Sequence, residues 1–261
     1  MGLFDRFFSS RCPVDDATRG WVVDRYAWLL TRFGKKALRA PMALPTPEFF
    51  PERFDGSLAP LESAMHKIAA RLQVATDTLH LELHDETNPM RELMQAGDLS
   101  GSWSGDGAAG SFHDETLGFR SHFRISVGNE TARNPTGAVA TLAHELCHAL
   151  LLGDHYLEGE EEDLEPLTDL ATVFFGYGLF TANAHVHEST WHAAARSGWR
   201  MTRQGYLDYP TLGFALAHHA AQRKEPDPPW ARHLRADARQ PFRQAMRCLR
   251  REQSLADRRD A

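Results

Sequence analysis

The segment "NPTGAVATLAHELCHALLLG", residues 134–153, constrains the fold more than any other stretch of the chain. Both of its ends are marked. Asn134 suits an N-cap, Pro135 the first helical position, and Gly153 the C-terminal stop. Between them Val139, Leu142, Leu146, Ala149 and Leu150 recur at helical spacing, so one face of this helix is an apolar stripe that must meet a core.

The chain before this helix reads as two helices followed by strands. Residues 17–33 place Trp21, Val22, Tyr26, Leu29, Leu30 and Phe33 on one helical face, and residues 58–73 give a second amphipathic helix. The proline-rich "APMALPTPEFFPERFDG" between them is expected to be an irregular linker over the surface. "TLHLELHD" (78–85) and "RSHFRISVG" (120–128) alternate apolar and polar residues, as half-buried strands do. The Gly/Ser-rich stretch separating them is expected to hold loops and one short strand near 109–112. After Val139 the chain reads as helical almost to its end. The expected fold class is therefore α+β, mainly helical, with one small mixed or antiparallel sheet preceding the capped helix. One domain over 1–261 is expected, with a helix and linker in 1–55, a core in 56–205 and a helical part in 206–261.

Bulk properties exclude several partners. A net charge of −6 gives no electrostatic reason to expect nucleic acid or an anionic membrane. The basic tail from Arg223 onward is expected to be a solvated helical face. Three cysteines, Cys12, Cys147 and Cys248, are odd in number and far apart, which argues against a disulfide framework and fits a reducing compartment. The apolar stretch of "MGLFDRFFSSRC" is too short for a secretory signal and is broken by Asp5 and Arg6. No run approaches transmembrane length. The expected location is cytoplasmic.

The chemistry lies on the capped helix. His144 and His148, at i and i+4, project from one face one turn apart, so both imidazoles can reach a single zinc ion. Glu145 is rotated by about 100° from His144. It can stand beside the ion, where a general base belongs. Downstream, in "EEEDLEPLTDLATVFFGYG", Asp163 suits an N-cap and Pro166 the first turn of a further helix. Glu165 and Asp169, four apart, share a face of that helix as it enters an apolar run. Two carboxylates facing an interior need a cation, a proton or hydrogen-bond donors. Either could be the third ligand on these grounds.

His144-Glu145-Leu146-Cys147-His148 followed by Glu165-Pro166-Leu167-Thr168-Asp169 resembles the gluzincin clan of zinc metallopeptidases, which includes the thermolysin-like enzymes. The resemblance covers residues 120–176, and it does not extend to the flanks. It implies a zincin-like fold with His144, His148 and Glu165 as zinc ligands and Glu145 as base. Asp169 would be an outer residue that orients a liganding histidine. It also implies that residues 123–128 form the sheet edge along which an extended peptide pairs. The spacing from His148 to Glu165 is shorter than in the best-known members, with an acidic insert before Glu165. Gluzincins stabilise the oxyanion with a downstream Tyr or His, and Tyr206 is the candidate for that role.

Remaining candidates are weaker. Cys147 is expected to be a small buried residue. His185 with His187 could bind a second metal, though alternation in a loop is poor evidence for it, while His218 and His219 are expected on a helix surface. His80 and His84 share one face of a strand. Two function classes follow: a zinc hydrolase acting on a peptide or protein substrate, or a non-catalytic zinc-braced module that binds one. A structural zinc is closed by four protein ligands and a catalytic one keeps a position open. Three ligands beside a glutamate in the base position favour the hydrolase.

Overall fold

The computed structural model describes residues 12–84, 110–117, 120–153, 157, 161–184, 186–193, 196–203 and 206–258, of which 110–117, 120–122, 186–193, 196–203, 256 and 257 are described by their backbone. Among the described residues it is mainly helical, with seven α-helices, one small sheet and one hairpin. The chain forms two compact units, Met1–Leu44, Glu165–His185 and Gly205–Ala261 in one, Pro45–Leu164 and Val186–Gln204 in the other.

The helical unit begins with α1 (Asp16–Arg39), capped by the Asp15 carboxylate, which accepts the Thr18 N–H at 2.8 Å. Val22, Tyr26 and Leu29 form its buried stripe, while Trp21, Leu30 and Phe33 are only partly covered. Gly34 breaks the helix with φ 72°, a left-handed value that favours glycine. Helices α4 (Leu164–Phe174, from Glu165 onward), α5 (Gly178–Ala184), α6 (Tyr209–Gln222) and α7 (Ala236–Asp257) complete this unit. Tyr26 packs edge-on against Phe174 with ring centroids 5.3 Å apart. Helices α6 and α7 approach closely at Gly213, where an added Cβ would lie 2.7 Å from the Phe242 backbone nitrogen.

Two expectations are corrected here. Cys12 and Cys248 are joined in a disulfide across a separation of 236 residues. The argument from spacing against a disulfide framework fails for this pair because separation along the chain says nothing of separation in space. The proline-rich linker is not wholly superficial either. Met42, Ala43 and Phe54 are buried, and the Ala43 N–H donates to the Gly176 carbonyl at 2.8 Å.

The second unit holds the sheet. Helix α2 (Leu58–Leu72) buries Leu61, Ala64, Met65, Ile68, Ala69 and Leu72, and ends at Gln73 in the left-handed region. Strand β1 (Leu79–His84) runs parallel to β3 (Arg120–Gly128), and β2 (Gly110–Leu117) runs antiparallel to it, in the order β1-β3-β2. The sheet is thus mixed rather than antiparallel. Strand β3 is its centre, which corrects the reading of 123–128 as an edge: both of its sides are already paired. Phe123, Ile125 and Val127 alternate on its buried face. Helix α3 (Pro135–Gly153) crosses this face so closely that a Cβ at Gly153 would stand 2.7 Å from the Phe123 ring.

Strands β4 (Val186–Ala193) and β5 (Arg196–Arg203) form an antiparallel hairpin. The expectation of continuous helix after residue 139 is corrected by it. "VHESTWHA" carries the strand-favouring Val186, Thr190 and Trp191 but no apolar alternation, so periodicity did not mark it. Among the described residues no helix is long and apolar enough to cross a membrane.

Candidate metal centre

Helix α3 is built by its N-cap and by burial. Asn134 Oδ1 accepts the N–H groups of Thr136 at 3.1 Å and Gly137 at 3.3 Å, satisfying two donors of the first turn. Val139, Leu142, Leu146, Ala149 and Leu150 are all buried, but so are the residues between them. From Gly137 to Leu151 only His144 remains partly exposed. Such a helix belongs to a core, and each polar side chain on it needs a partner.

His144 and His148 meet one another. Their rings are 4.8 Å apart between centroids, inclined at 77°, with the two Nε2 atoms 3.1 Å apart. His148 is buried and His144 reaches the surface. Glu145 is buried at 5% exposure on the neighbouring face of the helix. Cys147 is buried and takes no part in the disulfide, as expected of a small core residue.

Glu165 stands in the first turn of α4 and is partly exposed. One ligand atom from each of His144, His148 and Glu165 lies within 4.8 Å of the others, a group that could hold a metal ion. Asp169, one turn on, is 1% exposed, and its Oδ2 accepts the backbone N–H groups of Tyr206 at 2.6 Å and Leu207 at 3.0 Å. The spacing of Glu165 and Asp169 on one face was legible in sequence. The tie from Asp169 to residues 206 and 207 was not, because it joins segments 37 and 38 positions apart. Tyr206 itself is exposed at 43%.

The donor chemistry fits zinc. Two nitrogens, each ~2.1 Å from a tetrahedrally ligated ion, are separated by about 3.4 Å. The 3.1 Å between the histidine Nε2 atoms lies within a few tenths of an ångström of that. A carboxylate in reach completes a set of three hard and borderline donors.

The other candidates fare differently. His218 and His219 are buried, at 9% and 0% exposure, which corrects their placement on a helix surface. They sit in the apolar run "TLGFALAHHAA", where the helix is covered on all sides. His219 Nδ1 lies 2.8 Å from the Tyr26 hydroxyl. His218 packs edge-on to Tyr26 at 4.8 Å, and its Nε2 is 3.3 Å from Gln222 Nε2. Burial, with a smaller contribution from the Arg19 charge, lowers the His218 pKa to about 4. Burial also pushes the Tyr26 phenol well above its ordinary value, so it stays a neutral hydrogen-bonding group.

His80 is exposed, and His84 Nδ1 lies 3.0 Å from Ser126 Oγ; among the described residues neither belongs to a metal-binding group. A second group, Cys12, Cys248 and Glu252, has ligand atoms in reach of one another, but its two sulfurs are already bonded. His185 and the side chains of His187 and His192 lie outside the described residues.

No family model, curated protein or solved structure matches this chain.

Proposed function

We propose that the chain is a zinc-dependent metallopeptidase of the gluzincin kind, with a zincin-like core built around α3. The observation that carries this reading is the 3.1 Å approach of the His144 and His148 Nε2 atoms on one capped helix, with Glu145 buried beside them. His144, His148 and Glu165 would hold the ion. When bound, zinc supplies Lewis acidity that polarises a scissile carbonyl and makes water a better nucleophile at neutral pH.

Each residue has its own task. Glu145 accepts the proton of the attacking water and passes it to the leaving amine, as a general base and then a general acid. The apolar surroundings of α3 keep bulk water from the base, which strengthens its interaction with the developing charge. Tyr206, exposed on a fixed backbone, is the candidate to donate its O–H to the oxyanion. An extended peptide would pair with an outer strand of the sheet, since β3 is filled on both sides.

Digestion of an unbiased peptide library by the zinc-loaded protein, read by mass spectrometry, tests the reading. Cleavage that disappears in Glu145→Gln supports it. A wild-type protein that holds zinc stoichiometrically and cleaves nothing in the library contradicts it.

A further inference from the structure

Asp169 is a buried carboxylate that accepts two backbone N–H groups. It sits mid-helix in α4, with Leu167, Thr168 and Leu170 around it wholly buried. Its own backbone is tied as well: the Thr172 hydroxyl donates to the Asp169 carbonyl at 2.7 Å and is itself 2.6 Å from the Thr181 hydroxyl. A carboxylate so deeply buried needs donors. Two consecutive N–H groups, of Tyr206 and Leu207, converge on its single Oδ2 atom, a backbone cradle for a negative charge.

The consequence falls on Tyr206. Leu207 is buried, and Asp208 caps α6 by accepting the Thr211 N–H at 2.9 Å. The stretch 206–208 is therefore held at one end by Asp169 and at the other by the first turn of α6. Within it the Tyr206 side chain stays 43% exposed. An exposed aromatic on an immobilised backbone has lost little side-chain freedom to burial, yet its Cα is fixed before any ligand arrives.

We propose that Asp169 is a positioning residue: its carboxylate clamps the backbone of Tyr206 and Leu207, so that the Tyr206 phenol is presented at a fixed place relative to Glu165 on the same helix. Its meaning for catalysis rests on the peptidase reading; the clamp itself does not. The role differs from orientation of a liganding histidine, in which the carboxylate would accept an imidazole N–H instead of two backbone N–H groups. A clamp needs only one oxygen that accepts both N–H groups, which asparagine retains.

Hydrogen exchange at the Tyr206 and Leu207 amides of the zinc-free protein separates these roles. The expected result is protection of at least ~100-fold over an unstructured chain in the wild type. Asp169→Asn should stay within ~10-fold of the wild type, and Asp169→Ala should exchange at least ~10-fold faster than Asp169→Asn at these two amides, with the amides of α1 unchanged. Unprotected amides in the wild type overturn the clamp, as does protection in Asp169→Ala equal to the wild type. If Asp169→Ala does not fold, the wild type and Asp169→Asn decide: Asp169→Asn amides as fast as an unstructured chain overturn it too.

A double-mutant cycle on peptide hydrolysis then reads whether the clamp acts through Tyr206. Asp169→Ala combined with Tyr206→Phe should be no slower than Asp169→Ala alone, whereas losses that multiply overturn that route. Absence of hydrolysis in the wild type would sink the peptidase reading and leave the exchange result standing.

Discussion

The Nε2 atoms of His144 and His148 face each other at 3.1 Å on a helix where nearly every other side chain is buried. Two neutral imidazoles satisfy such an approach only if one carries its proton on Nε2 and the other accepts it. A cation lets both lone pairs point the same way. The i, i+4 spacing sets this geometry, and the buried Glu145 beside it supplies a base.

Glu145→Gln should fold and bind zinc as the wild type does, and lose hydrolysis by at least ~100-fold, because the base is gone while the ligands remain. Metal content and turnover measured on the same preparation check it. Wild-type turnover in this variant would remove Glu145 from the mechanism.

Glu165→Ala should weaken zinc binding more than Asp169→Asn does. A ligand contributes a bond to the ion, whereas asparagine at 169 keeps an oxygen for the Tyr206 and Leu207 N–H groups and leaves the donor set intact. Competition titrations against a chromophoric chelator rank the two. Loss of the metal in Asp169→Asn with retention in Glu165→Ala would reverse the assignment.

His218 predicts an acid-side loss of stability. Its folded pKa of about 4 lies below the ordinary histidine value of 6.5, so the unfolded chain binds the extra proton first. The stability its neutral form provides is complete above pH ~6.5, declines as pH falls, and is gone below pH ~4, a change of about 3 kcal/mol. The groups facing it are Tyr26, Phe214, Gln222 and Arg19. Denaturant titrations between pH 7 and 4 should show a shallower decline in His218→Gln than in the wild type. Parallel curves would mean that other groups carry the acid response.

The Cys12–Cys248 bridge predicts a reductant-sensitive melting temperature. Closing a loop of this length stabilises a fold by about 5 kcal/mol in the chain-entropy picture. Cys248→Ser should melt lower than the wild type under oxidising conditions and equally under reducing ones. Alkylation with mass spectrometry should find Cys147 as the one thiol released only on unfolding.

What could be read from the sequence was local. The N-cap of α3, its apolar stripe, the His144–Glu145–His148 constellation and the strands 79–84 and 120–128 follow from residues within a few positions of one another. What could not be read depends on distant chain. Strand β3 becomes central because β1 and β2 pair with it from opposite sides. Cys248 finds Cys12 only once α7 and the N-terminal segment are in place. His218 and His219 were misplaced for another reason. Their polarity outweighed an alanine- and leucine-rich run that, weighed as a whole, described a buried helix.

The central claim is that His144 and His148 hold zinc, and metal analysis of the purified protein tests it most directly. Expressed in zinc-replete medium and dialysed, the wild type should carry about one zinc per chain, while His144→Ala and His148→Ala, folded by circular dichroism, should carry none. A wild type without zinc, or a His148→Ala variant that keeps it, would contradict the account.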